Sequence, residues 1–156
     1  MLQVLTSDYY HHVLSLIRSS SKSIDLLCYV SNFNLYKKSD KANLIYIALK
    51  HFSLSGRPVR IILDLPRAHK SNYHCNMFST RRFKESGFSV RYLHTGSTQH
   101  AKLILFDNKL AVTGSHNLTT RSVVNRYDIS LLLDDSVLIL FFVKYFESLW
   151  QDSIDG

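Results

Sequence analysis

The apolar positions of this chain change their period several times, and each change marks an element. Val13, Leu14, Leu16 and Ile17 recur at helical spacing behind Ser7 or Asp8, either of which can cap a helix. "SIDLLCYV" (Ser23–Val30) is a continuous run of strand length, the pattern of a buried strand. "NFNLYKKSD" reads as a loop. A second helix is expected from Ser39 or Asp40 to about Phe52, with Leu44, Ile47, Ala48 and Phe52 inward, and Gly56 and Pro58 end the connection. "VRIILDL" (Val59–Leu65) is a second strand, followed by a polar loop rich in His, Lys and Asn. A short helix from Ser79 to Ser86 stops at Gly87, and "FSVRYL" is a third strand. Two more strands flank the turn Asp107-Asn108-Lys109, a hairpin signal. "RYDISLLL" is a sixth strand, and Ser136–Trp150 is an amphipathic helix.

Strands and helices alternate, which argues for an α/β fold: a mixed, largely parallel β-sheet with helices on both faces. No repeat, linker or low-complexity segment interrupts it, so residues 1–156 are expected to form one domain. Hydrophobic residues make up 46% and charged residues 20%, a balance that builds a core and excludes a disordered chain. The run Val137–Val143 is too short to span a bilayer, and "MLQVLTSDYYHH" lacks the pattern of a signal peptide. A cytoplasmic location is the expectation. Cys28 lies in an apolar run and reads as a buried thiol, and two cysteines give no disulfide framework. "HKSNYHC" gathers His69, His74 and Cys75, but no fourth ligand stands at metal-site spacing, so no metal and no cofactor is expected. A formal net charge of +7 points to an anionic partner: nucleic acid, a phospholipid surface or another phosphate ester.

The chemistry concentrates in "QHAKLILFDNKLAVTGSHNLT" (Gln99–Thr119). On a strand, His100, Lys102, Ile104 and Phe106 share one face, and Asp107 points to the other. Asp107 therefore ends the strand and binds turn amides or a basic neighbour; it does not orient His100. Gly114 permits close backbone approach at the end of the next strand, where Ser115 and Asn117 emerge. Imidazole, ammonium, hydroxyl and amide gathered at one sheet end would bind phosphate. Each residue taken singly is ordinary: most strand histidines are packed, and most lysines at strand starts are solvated. The spacing of the whole set carries the signal.

That spacing is His-x-Lys-x-x-x-x-Asp followed by Gly-Ser-x-Asn, and it resembles the signature of the phospholipase D superfamily. The matching residues are His100, Lys102 and Asp107, then Gly114, Ser115 and Asn117. The element order is similar to that of the small single-motif nucleases of the superfamily, over most of the chain. Those proteins usually carry a glutamate on the strand after Gly-Ser-x-Asn; this chain has Asp128, in "NRYDIS". The resemblance implies a metal-independent phosphodiesterase. His100 would attack phosphorus and form a phosphohistidine, Asp128 would bind the other ring nitrogen, and Lys102, Asn117 and Ser115 would hold the non-bridging oxygens.

The leaving alkoxide needs a proton from a second acid in line with the attack. Larger relatives supply it from a second copy of the motif, and this chain has one. A homodimer with two His100 side chains facing across a twofold axis is the economical solution; His69, His74, His94 and His116 are the alternatives. His116 alternates away from Ser115 and Asn117 and would contact substrate or cap the following turn. Nucleic acid, DNA or RNA, is the first expectation for substrate. Arg67, Lys70, Arg81, Arg82, Arg91 and Arg121 would track phosphates, and Tyr29, Tyr73 and Tyr92 would stack bases. The alternative is a membrane lipid of the cardiolipin kind, with Phe33, Leu35, Tyr36 and the two following lysines as an apolar anchor. A third reading is a module that binds nucleic acid or dimerises without turnover.

Overall fold

The buried run after Ser23 becomes the middle of the sheet. The computed structural model describes residues 1–65, 70–93 and 98–156, with Lys70 described in its backbone alone. Along the chain the elements are β1 (Leu2–Leu5), α1 (Tyr9–Ser19), β2 (Ile24–Cys28), β3 (Ser31–Asn32), α2 (Lys41–Leu54), β4 (Val59–Asp64), α3 (Lys70–Glu85) and β5 (Ser89–Leu93). They continue as β6 (Leu103–Phe106), β7 (Leu110–Gly114), β8 (Leu118–Thr119), a 3-10 turn (Ser122–Val124), β9 (Ser130–Leu133), α4 (Ser136–Asp152) and β10 (Ile154–Asp155).

Eight of the described strands form one sheet in the order β1-β9-β7-β6-β2-β4-β5-β10, and β3 pairs with β8 apart from it. The sheet is mixed, as the alternation predicts. Within the eight-stranded sheet parallel pairing is confined to β2–β4 and β4–β5, and β3 and β8 pair in parallel outside it. The physical reason is that only α2 and α3 cross from one strand to the next in the same direction; the rest of the sheet is built by reversals. The β6–β7 reversal runs through Asp107, Asn108 and Lys109; Asp107 and Asn108 have φ of 56° and 55°, and the Lys109 amide donates to the Phe106 carbonyl at 2.9 Å.

Two cores sandwich the sheet. Leu26, Ile61, Ile104 and Val112 pack with α1, α2 and Phe83 of α3 on one face. Leu27, Ile62, Leu105 and Leu133 pack with Ile139 and Phe146 of α4 on the other. Under α4 the Arg60 guanidinium spans Asp25 at 2.7 Å and Glu147 at 2.6 Å, which neutralises a buried carboxylate on β2. Among the described residues no helix is long and apolar enough to cross a membrane.

Two helices differ from their sequence patterns. Asp40 caps α2, accepting from the Asn43 amide at 2.8 Å. Its buried residues are Ala42, Asn43, Ile45, Tyr46, Leu49 and Phe52, while Leu44, Ile47 and Ala48 line a groove against α1. α2 is apolar nearly all round, so periodicity alone did not select the sheet-facing side. α3 begins at Lys70, not Ser79, and takes in most of the stretch read as a polar loop. Its inward side is polar: Asn76, Ser79 and Thr80 are buried. Asn76 donates to the carbonyls of Tyr29 (2.9 Å) and Asp64 (2.8 Å) and accepts from the Ser31 amide (2.9 Å). Ser79 donates to the Ser31 carbonyl at 2.8 Å. A hydrophobicity pattern does not reveal a helix held by such bonds, yet these bonds fix the chain where β2 and β4 end.

Candidate active site

The carboxyl ends of β2, β4 and β7 meet the amino ends of β6 and β9 along one rim of the sheet. His100 and Lys102 lie in the extended run that enters β6, just ahead of its first residue. The Lys102 carbonyl accepts from the Gly114 amide (3.4 Å) and from Thr113 Oγ1 (2.8 Å), which keeps this run alongside β7. Lys102 is 9% exposed. Its Nζ stands 3.0 Å from His100 Nδ1, 3.3 Å from Nε2 and 2.6 Å from the His100 carbonyl. Accepting an ammonium proton requires a ring nitrogen that carries none, so this pairing suits an imidazole with a free lone pair. Burial pulls the Lys102 ammonium below its ordinary pKa, and the negative charge of Asp128 acts against that pull.

The Tyr29 ring backs the pair, 4.5 Å from the His100 ring centroid and 5.2 Å from Lys102 Nζ. Asn72 donates to the Tyr29 hydroxyl at 3.1 Å. Tyr29 is therefore part of the wall of the site rather than an open platform for a base. Gln99 is buried beside it, and its amide donates to Asp64 Oδ1 at 3.0 Å, anchoring the residue before His100.

Gly114 makes the second half of the site possible. A Cβ there would stand 2.3 Å from the Ile129 carbonyl oxygen and 2.4 Å from Ser130 Cα. The close approach lets the Ser115 amide donate to the Ile129 carbonyl at 2.8 Å and Ser115 Oγ donate to Asp128 Oδ1 at 3.0 Å. Asp128 Oδ2 accepts from Ser122 Oγ (2.7 Å) and Asn125 Nδ2 (3.1 Å). Burial raises the Asp128 pKa, but the bonds from Ser122, Ser115 and Asn125 together outweigh it, so the group stays below the usual carboxylate value. Ser122 Oγ also accepts from the Asn117 amide at 2.8 Å, while Asn117 Oδ1 is buried without a hydrogen-bond partner.

The rim thus gathers His100, Lys102, Ser115, Asn117 and Asp128. The expected bond from Asp128 to the imidazole is absent within one chain, where both carboxylate oxygens are taken by Ser115, Ser122 and Asn125. Asp107 stands at the opposite end of β6 and accepts from the amides of Ser21 and Lys22 at 2.8 Å and of Ser23 at 3.1 Å. His116 does not face substrate: it is 2% exposed, stacked on Tyr9, with Nδ1 2.9 Å from Ser130 Oγ.

Arg121 is exposed at the entrance to the 3-10 turn. Arg67, His69, His94 and the side chain of Lys70 lie outside the described residues. Three expected phosphate contacts are engaged elsewhere. Arg81 and Arg82 pair with Glu85, and Arg91 donates to the Trp150 carbonyl on the α4 face. Tyr92 is buried and donates to Thr80 Oγ1 at 2.6 Å, so it offers no surface to a base. Phe33 is buried and Leu35 packs on the core, leaving Tyr36 alone of that trio in solvent. Among the described residues no cluster of His, Cys, Asp and Glu could hold a metal ion.

The site includes residues that the sequence reading did not assign to it. Ser122 and Asn125 precede Asp128 by six and three residues, a polar spacing that fits a carboxylate-binding turn. Gln99 and Asn76 gave no comparable signal.

Residues 13–150 match a family model described as "Cardiolipin synthase, PLD-like domain". A mitochondrial cardiolipin hydrolase of Chlamydomonas reinhardtii is 32% identical over 96 residues, which cover 62% of this chain and 41% of that protein. The chain therefore spans less than half the length of that relative. Among solved structures, Nuc of Salmonella typhimurium, a phospholipase D family member, superposes with a TM-score of 0.79 at 22% identity, covering 100% of this chain and 97% of that one. NucT of Helicobacter pylori superposes with a TM-score of 0.78 at 18% identity, covering 100% and 99%. These two likenesses establish the fold.

Proposed function

This chain belongs to the phospholipase D-like domain family, and on that premise we propose that it is a metal-independent phosphodiesterase acting on nucleic acid. The observation that carries the reading is the convergence on one rim of a lysine ammonium 3.0 Å from an imidazole and a serine hydroxyl bonded to a carboxylate. A phosphodiester entering this rim meets its positive charge at Lys102 and neutral donors at Ser115 and Asn117.

One ring nitrogen of His100 attacks phosphorus, and the bond to the leaving oxygen breaks as that oxygen takes a proton from a second acid. Water then attacks the phosphohistidine, giving its proton back to that same group and freeing His100. The second acid is the imidazole of a second copy, brought opposite His100 by twofold symmetry. Within one chain the charge of Asp128 opposes the effect of burial on Lys102, and its carboxylate accepts from Ser115. Its role in orienting an imidazole passes to the ring contributed by the second copy.

Nucleic acid is favoured as substrate by the net charge of +7 and by the fold shared with Nuc and NucT. A second reading, hydrolysis of a cardiolipin-like lipid, is favoured by the exposed Val124, Tyr127 and Ile129 in the same turn as Asp128, and by the cardiolipin hydrolase relative.

The test is incubation in chelator with labelled DNA, labelled RNA and cardiolipin vesicles, beside His100→Ala. Cutting of DNA or RNA that disappears in the variant is expected. Lipid turnover alone selects the second reading, binding without turnover removes both, and a strict magnesium requirement overturns the mechanism. For the shared site, mixing His100→Ala with Lys102→Ala should recover little activity, and full activity in a demonstrably monomeric sample would exclude it.

A further inference from the structure

His116 lies inside the Gly-Ser-x-Asn signature and takes no part in the chemistry above. Its ring stacks on Tyr9 at the start of α1, with centroids 4.1 Å apart and planes 9° from parallel. Nδ1 is 2.9 Å from Ser130 Oγ at the start of β9, and Nε2 is buried with no hydrogen-bond partner. A hydrocarbon side chain would fill this place without the cost of burying a polar ring. What the imidazole adds is a directional bond to β9.

That bond sits at a sensitive point. Ser130 is in register with Gly114, where the backbones of β7 and β9 approach too closely for any Cβ. Side chains alternate along the extended segment that follows. Holding residue 116 inward turns the Ser115 hydroxyl toward Asp128 and leaves the Asn117 backbone amide donating to Ser122 Oγ. Tyr9 carries the same constraint to the first turn of α1.

We propose that His116 is a positioning residue, whose imidazole clamps the Gly114–Asn117 segment between Ser130 and Tyr9 and so fixes Ser115 and Asn117 around the phosphate. The inference rests on the phosphodiesterase reading. Tyr9 from α1 and Ser130 from β9 touch the ring, Cys28 from β2 and Lys102 from the entry to β6 line the same small cavity, and the charges of Asp8 and Asp128 also reach it. Burial pushes His116 below its ordinary pKa, against those two charges and the backbone of Thr6 and Asn125.

The probe is bis(p-nitrophenyl) phosphate, which carries neither base nor lipid. Ser130→Ala removes the bond and keeps the ring and its stack; His116→Phe keeps a stacking ring and removes the bond; His116→Gln restores a group able to reach Ser130. In the first two, kcat should fall by about 100-fold, the scale of an ångström of misplacement, with KM little changed, and His116→Gln should recover most of the loss. Vanadate, a transition-state mimic, supplies a readout without turnover, and Ser130→Ala should weaken its binding by about the factor lost from kcat. A folded Ser130→Ala protein with wild-type kcat and vanadate affinity overturns the proposal, and so does a loss confined to KM. If His116→Phe does not fold, Ser130→Ala decides alone. A wild type that turns over no phosphodiester, or a His100→Ala variant as active as wild type, overturns the parent reading; the vanadate comparison still decides the clamp.

Discussion

Asp107 and Asp128 mark opposite ends of the same sheet, and both are carboxylates held below their ordinary pKa by hydrogen bonds that outweigh burial. Their donors differ. Asp107 takes chiefly the backbone amides of three successive residues, Ser21 to Ser23, where the chain enters β2, with the Ser21 hydroxyl a longer addition at 3.3 Å. Asp128 takes side chains: two hydroxyls and an amide, from Ser115, Ser122 and Asn125. Backbone donors are fixed by the fold and tie a turn down. Side-chain donors can turn toward an incoming phosphate and redirect their hydrogen bonds to it. The aspartate of the signature therefore ties down the sheet, and the one outside it holds side chains at the rim where the proposed chemistry takes place.

Substitution should separate the two ends, most strongly at the site. Asp128→Ala leaves Lys102 without its nearby negative charge and Ser115 without its acceptor. We expect kcat to fall on the order of 100- to 1,000-fold, the scale of losing a preorganised group at a reacting centre, with a small change in Tm because the released side chains can reach water. A kcat within a few-fold of wild type would return Asp128 to the structural class and erase the contrast.

Gly114→Ala should strike both properties at once. The added methyl meets the backbone of Ile129 and Ser130 as well as Ser130 Oγ, and backbone cannot swing aside, so β7 and β9 must separate. A cost of about 1–3 kcal/mol is expected from overpacking, together with loss of turnover as Ser115 leaves Asp128. Urea unfolding and hydrolysis rates measured on one preparation check this. A variant that loses stability but keeps its rate would show that the close approach serves the sheet alone.

How far this organisation was legible in advance depends on what holds each part. β2, β4, β5 and the β6–β7 hairpin were readable because apolar runs and a turn signal define them. α3 was cut short because its inward residues, Asn76, Ser79 and Thr80, are polar and bond to loop backbone. The short strands β1, β3, β8 and β10 have too few residues to show a period. At the site, the spacing of His100, Lys102, Ser115 and Asn117 carried their convergence. Ser122 and Asn125 reach Asp128 by way of a turn, and Tyr29 reaches His100 from the bend just after β2; tertiary geometry of that kind leaves no mark on spacing. Alternation gave the inward direction of His116, but not the Tyr9 ring and Ser130 hydroxyl that receive it.

Asp107→Ala is the mirror of the first substitution. It strands three amides at the mouth of β2, two of them open to solvent, and should cost about 1–2 kcal/mol, while the rate per folded molecule stays at the wild-type level. A rate loss matching that of Asp128→Ala, in protein that remains folded, would mean that the two ends of the sheet are coupled.

The smallest effect distinguishes His116 from both carboxylates by pH. The folded protein resists protonating this ring, whereas the unfolded chain takes the proton near the ordinary value of about 6.5. Between the depressed folded value and about 6.5 the unfolded state binds more protons, so stability rises with pH across that window. The His116 contribution is complete above it and is lost as pH falls. Asp107 and Asp128 act lower: their contribution is present above the unfolded carboxylate value and is lost as pH falls through the depressed folded ones. Melting curves from about pH 7.5 to 5.5 therefore isolate the histidine from the carboxylates. The chain's other seven histidines are common to wild type and His116→Gln and cancel in the comparison. Tm of the variant should fall less steeply than that of the wild type as the solution is acidified, and parallel slopes would place the buried ring outside the groups that sense this pH range.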